Sequence, residues 1–219
     1  MKRFLPLRFA TRTVLAMAMA VMLAACDNGA PDNVGTTSAN ASTANAPASS
    51  AAFTGTDITG TGFGKDIDLV DHDGTAIELQ QAYHGKVMVI FFGFTQCPDV
   101  CPTTMAELAQ VKEKLTPEQR DRVQVIMISV DPERDTPAVL KQYVSAFDPS
   151  FVGLTGSAEQ IAKVAASFKA YYKKVESDQS YTMDHSSGLY VLDTEGESRL
   201  LIKPNTPPEA IAADIQNLL

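Results

Sequence analysis

Cys97 and Cys101 stand four residues apart in Cys97-Pro98-Asp99-Val100-Cys101-Pro102, directly after an apolar run from Val87 to Phe94. With a helix beginning near Cys97, that spacing is about one turn, and both sulfurs share a face. Two thiols so placed can close a reversible disulfide or grip a soft metal ion together. A helix N-terminus adds free N–H groups and the positive end of a dipole, which favour thiolate and lower a cysteine's pKa. A purely structural disulfide is the bland use, but so short a loop would constrain the unfolded chain little. Pro98 and Pro102 lack an N–H and fix φ, which stiffens the segment.

Three histidines are available to such a pair. His72 falls in a predicted turn and His84 in a loop, and both read as exposed polar residues. His185 precedes the strand Gly188–Leu192, expected near the cysteine loop, and is the candidate for chemistry. Asp131 follows a second buried run, so it either faces the site or forms the turn before Pro132. Thr95, Gln96 and Asp99 line the cysteine loop without an assigned role. Met105 and Met127 read as core. Met183 lies close enough to His185 to be considered as an axial thioether.

These residues need a scaffold. Ile67–Val70, a turn at 71–74 and Ala76–Leu79 read as a hairpin. Val87–Phe94 and Val123–Val130 are apolar on both faces, as buried central strands require. Helices are predicted over Thr103–Leu115, Thr136–Phe147 with Pro137 in the first turn, and Ser157–Tyr171 capped by Ser157. Phe151–Leu154 is a short strand. Leu189–Leu192 and Arg199–Ile202 flank a turn as a second hairpin. A last helix covers Pro207–Leu219 with Thr206 as its cap. Alternating strands and helices followed by an antiparallel pair indicate an α/β domain. Its mixed central sheet is flanked by helices and carries an extra N-terminal hairpin. Ligands in such sheets lie beyond the carboxyl ends of the parallel strands, just where Cys97 and Cys101 fall.

Residues 1–25 read as an export signal. Lys2, Arg3, Arg8 and Arg12 precede the uncharged apolar segment Val14–Ala25, which is too short to span a bilayer unaided. Leu23-Ala24-Ala25-Cys26 resembles the lipobox of bacterial lipoproteins, which implies cleavage before Cys26 and a lipid on its sulfur. Asp27 resembles an inner-membrane retention signal. Lipidation of Cys26 would remove the odd thiol among three cysteines and leave Cys97 and Cys101 as a pair. Outside the membrane that pair would tend to be oxidised unless it is reduced or bound. Residues 26–56 are Ala, Ser, Thr, Asn, Gly and Pro with few large apolar groups. They read as a flexible tether with a reach on the order of 30 Å. The domain is then 57–219. The expected location is the periplasmic face of the bacterial inner membrane.

The full chain carries a net charge of −8, and removing a signal with four basic and no acidic residues leaves −12. So acidic a surface argues against nucleic acid and against anionic headgroups as partners.

Three blocks carry a family resemblance. Gly93-Phe94-Thr95-Gln96-Cys97-Pro98-Asp99-Val100-Cys101-Pro102-Thr103 is similar to the signature of the Sco/SenC family. Val130-Asp131-Pro132-Glu133-Arg134-Asp135-Thr136-Pro137 resembles the family's second block, and Tyr181-Thr182-Met183-Asp184-His185-Ser186 its third. The resemblance runs over Gly64–Leu219. It implies a thioredoxin-like fold and copper binding by Cys97, Cys101 and His185, with Asp131 as an acid behind the ligands. It also implies a role in assembling the dinuclear copper site of cytochrome c oxidase subunit II. Two thiolates and an imidazole suit Cu(I), and a fourth oxygen or nitrogen permits tetragonal Cu(II). Zinc accepts the same donors, so copper itself rests on the resemblance.

Two function classes follow. A metal carrier would pass copper to subunit II, taking it from another periplasmic copper chaperone. A thiol–disulfide oxidoreductase would use Cys97 and Cys101 as its redox-active pair to keep the subunit's cysteines reduced, itself served by a thioredoxin-like reductant. Against the second, thioredoxin-type enzymes carry C-x-x-C preceded by Trp, and this chain has no Trp. A peroxiredoxin reading of Val100–Thr103 fails because the Thr or Ser three residues before the cysteine is replaced by Pro98, or by Phe94 for Cys97.

Overall fold

The computed structural model describes residues 53–176 and 180–219. The expected signal, Cys26 and the tether as far as residue 52 lie outside the described residues. The elements are, in chain order, β1 (Thr56–Asp57), β2 (Asp68–Asp71), β3 (Ala76–Glu78), α1 (Leu79–Ala82), β4 (Val87–Gly93), α2 (Val100–Glu113), α3 (Pro117–Asp121), β5 (Val123–Ser129), α4 (Pro137–Ser145), β6 (Val152–Thr155), α5 (Ala158–Ser167), β7 (Tyr172–Glu176), β8 (Tyr181–His185), β9 (Leu189–Leu192), β10 (Ser198–Ile202) and α6 (Pro208–Gln216).

The two runs of apolar β-formers take the centre of the sheet. Every residue of β4 and β5 is buried. They pair in parallel, in unbroken register from Val87 opposite Val123 to Gly93 opposite Ser129. The main sheet runs β1-β10-β9-β4-β5-β6-β2-β3. β4, β5 and β6 are parallel, while β9, β10 and β1 are antiparallel additions on one side. The β2–β3 hairpin is the N-terminal extra, joined antiparallel to β6. Alternation along β4 serves both faces. Phe91 meets the side of Cys101 and His185, and Phe92 packs edge-on against Phe168, 5.4 Å between centroids, just beyond α5. Thus α2 and α5 cover opposite faces, and α6 packs beside α2.

The helix starts follow local chemistry. Ser157 closes a capping box with Gln160 at α5, and Thr136 caps α4 ahead of Pro137. Two helix starts differ from the predicted ones, and the four predicted helices end at Glu113, Ser145, Ser167 and Gln216, short of the predicted Leu115, Phe147, Tyr171 and Leu219. α2 begins at Val100, because Pro102 occupies its first turn, where no N–H is needed. α6 has Pro207 rather than Thr206 at its cap, and the Thr206 hydroxyl instead donates to Lys203 O at 2.8 Å. At the N-terminal end, the Thr54 and Gly55 amides donate to the buried Asp214 carboxylate at 2.9 and 2.8 Å, and Thr56 pairs with Leu201. The chain therefore joins the fold at the last residues assigned to the tether. Among the described residues no helix is long and apolar enough to cross a membrane.

Candidate metal centre

Because β4 and β5 end level, the loops that follow them lie side by side. Asp135, fully buried, ties them together. Its carboxylate accepts from the Thr95 amide at 3.0 Å, the Thr95 hydroxyl at 2.6 Å and the Ser129 hydroxyl at 2.7 Å. Gly93 ends β4 where a side chain has no room: a Cβ there would lie 2.6 Å from the Phe91 ring and 3.1 Å from Cys101 Sγ. The backbone can thus run directly beneath the sulfur.

Cys97 sits in the loop, ahead of the helix. The two sulfurs are therefore not stacked one helical turn apart, as a helix starting at Cys97 would have placed them. They meet because Cys101, in the first turn of α2, donates its backbone N–H to Cys97 Sγ at 3.4 Å. One of the free N–H groups of the helix start is satisfied by sulfur. Both cysteines are free thiols, Cys97 half-buried and Cys101 buried. Burial pushes the Cys101 thiol well above its ordinary value. The expected lowering by the helix start does not hold for Cys101, because loss of solvent disfavours its charged form more.

His185 ends β8, a strand not anticipated from the sequence. Its Nδ1 lies 2.9 Å from Ser186 O. A carbonyl only accepts, so Nδ1 carries the proton of the neutral ring and Nε2 keeps its lone pair. That lone pair faces Cys101 Sγ at 3.6 Å. Phe91 and Phe94 hold the ring edge-on, at 6.1 and 5.8 Å between centroids. The ligand atoms of Cys97, Cys101 and His185 all lie within 4.8 Å of one another, and no other such group of acids, cysteines and histidines occurs among the described residues. An ion with bonds of about 2.0–2.3 Å would bridge them after small movements. The donors fit a soft metal, and Cys97 faces an open cleft that it shares with Pro98, Asp99, Met183 and His185.

The other predicted residues fall as follows. Asp131 is buried at the end of β5, where its carboxylate accepts from the Tyr181 hydroxyl at 2.8 Å and pairs with Arg134 Nε. Arg134 in turn bonds to Gln96, the residue before Cys97, and to Tyr181 O on β8. Desolvation and the bond to Asp131 raise the Tyr181 pKa to about 12, so its O–H stays a donor. Met183 is buried on β8 and lines the cleft. His84 is exposed, but His72 is not: its Nδ1 accepts the Gly153 amide at 3.1 Å, so it serves β6 at the far side of the sheet. Sequence reasoning missed Asp135, Arg134 and Tyr181. The spacing of Asp131 and Asp135 around one turn was the available signal.

The SCO1/SenC family model matches residues 56–219. The mitochondrial SCO2 homolog of Bos taurus is 43% identical over 134 residues, covering 60% of this chain and 50% of that protein. The chain spans about half to two thirds of the length of the curated relatives it matches. The structure of Bradyrhizobium japonicum ScoI with copper bound superposes with a TM-score of 0.66 at 43% identity, covering 72% of this chain and 99% of that one. BsSco, a member of the Sco family of cytochrome c oxidase assembly proteins with an identified disulfide switch, gives 0.60 at 29% identity. It covers 75% of this chain and 96% of its own. With the match over the whole described domain and the two cysteines and histidine brought together, the chain belongs to the SCO1/SenC family.

Proposed function

We propose that this protein is a copper carrier that delivers its metal to the dinuclear copper site of cytochrome c oxidase subunit II. The observation that carries the reading is the convergence of Cys97, Cys101 and His185 ligand atoms within 4.8 Å. The copper-bound relative and the oxidase-assembly relative support the metal and the destination. Copper here is cargo. The two sulfurs hold Cu(I), and His185 adds the nitrogen that a higher coordination number needs. Binding expels the Cys101 proton, which faces His185 Nε2 in the metal-free site. Asp131 acts from behind through Tyr181 and Arg134. Export, a lipid on Cys26 and a place on the periplasmic face of the inner membrane complete the proposal. They bring the domain to a membrane-bound oxidase, within reach of a copper-supplying chaperone.

A second reading is favoured by the unequal exposure of the two thiols. Cys97, half-buried, would attack a disulfide of subunit II, forming a mixed disulfide and releasing one thiolate. Cys101 would then attack Cys97 Sγ, releasing the second thiolate and closing the Cys97–Cys101 disulfide. Two electrons pass from the pair to the substrate, and a thioredoxin-like reductant would restore it.

Copper titration of the reduced protein tests the ligand set. His185→Ala is expected to weaken Cu(II) binding at least about tenfold and to change its visible spectrum. Unchanged affinity and spectrum would remove His185 from the site.

A further inference from the structure

β7 and β8 form a two-stranded sheet of their own, and all of β7 but Tyr172 is exposed. A lone hairpin is marginal in water. Yet its last residue, His185, has to meet two thiols within a few ångströms. Arg134 touches every part that this requires. Its Nε pairs with Asp131 at the end of β5. Its Nη1 donates to Tyr181 O on β8 at 3.0 Å and to Gln96 Oε1 at 3.2 Å, the residue before Cys97. Its guanidinium lies 3.7 Å from the Tyr181 ring centroid and 5.8 Å from that of Phe94, which packs on His185. Tyr181 returns the contact by donating its hydroxyl to Asp131. Tyr181, Met183 and His185 share one face of β8, so a shift of the first carries the last with it.

We propose that Arg134 is a positioning residue, a clamp that holds the His185-bearing hairpin against the cysteine loop and thereby sets how fast bound copper leaves. The inference rests on the copper reading above. The planar guanidinium presents Nε to Asp131 and Nη1 to Tyr181 O and Gln96 at fixed angles while stacking on the Tyr181 ring, whereas an ammonium on a flexible stem has neither the fixed fork nor the flat face. The outer pair, Lys174 with Glu133 at 3.0 Å, is exposed and adds little to the hold.

The test compares wild type with Arg134→Lys, which keeps the charge facing Asp131 but loses the fork, and with Tyr181→Phe, which loses only the hydroxyl. In the reduced, metal-free protein, amide exchange over Tyr181–His185 is expected to quicken roughly tenfold in Arg134→Lys, with β4 unchanged. In the Cu(II)-loaded protein, transfer to a chelator is expected to quicken about tenfold or more, with Tyr181→Phe between it and wild type. On a His185→Ala background, Arg134→Lys should add nothing further. Unchanged exchange over Tyr181–His185 overturns the clamp. So does an acceleration of copper loss that is equal with and without His185. His185→Ala that retains copper like wild type overturns the ligand set instead, and with it the clamp's effect on copper. The exchange result still decides whether Arg134 holds the hairpin.

Discussion

Cys101 is the residue on which opposing effects are decided. A helix start favours thiolate, burial favours thiol, and burial wins, so the metal-free fold keeps the proton on. This has a consequence for stability. The unfolded chain releases that proton near the ordinary thiol value of 9.0, while the folded chain does not. Above it the unfolded state binds fewer protons, so stability falls as pH rises; below it neither state releases the proton and the dependence vanishes. Urea unfolding of the reduced, metal-free protein from pH 7 to 10.5 should show this loss, and Cys101→Ser should lessen it. Gly93 makes the matching steric prediction. An added methyl would press on Phe91 and Cys101 Sγ, so Gly93→Ala is expected to cost about 1–3 kcal/mol and to weaken copper binding by displacing the sulfur. Thermal unfolding and titration check the two halves. Of these residues the cysteines were legible from spacing alone, and His185 became so through its block. Asp135 was not, because its partners Thr95, in the loop after β4, and Ser129, the last residue of β5, adjoin only when β4 and β5 pair in register.

At the scale of elements, legibility followed the strength of local signals. The buried runs that became β4 and β5, the Thr136-Pro137 start of α4 and the Ser157–Gln160 box of α5 were all readable. Ser157→Ala is accordingly expected to lower stability by about 1 kcal/mol, measured by denaturant midpoint, with copper binding unchanged. The β7–β8 hairpin was illegible for a physical reason. Tyr172-Lys173-Lys174-Val175-Glu176 is largely exposed and has no apolar alternation. Its partner strand is anchored by contacts that cross the sequence: Tyr181 to Asp131, Arg134 over the Tyr181 ring, and Ser186 N–H to Tyr171 O at 2.9 Å. Such contacts leave no periodic trace. The candidate site is thus divided between α2 with the loop before it, which announce themselves, and a strand that depends on tertiary contacts for its place.

For the whole molecule, the mixed sheet with its β2–β3 hairpin and helices on both faces was readable from element order. The sheet explains why the chemistry sits where it does: both parallel strands that carry the loops end level, and the antiparallel side returns the chain to bring His185 across. The same two thiols would serve either proposed role, copper transfer or disulfide reduction, and oxidation of the pair would exclude the metal. The measurement that separates them most directly loads the reduced protein with one copper and mixes it with copper-free, reduced cytochrome c oxidase subunit II. Copper carriage predicts that the metal leaves this protein and appears in the spectrum of the dinuclear site, with the subunit's thiol count falling only as they ligate copper. Copper retained by Cys97, Cys101 and His185 would contradict it. Contradiction would be complete if the metal-free protein reduced oxidised subunit II stoichiometrically while closing its own Cys97–Cys101 disulfide.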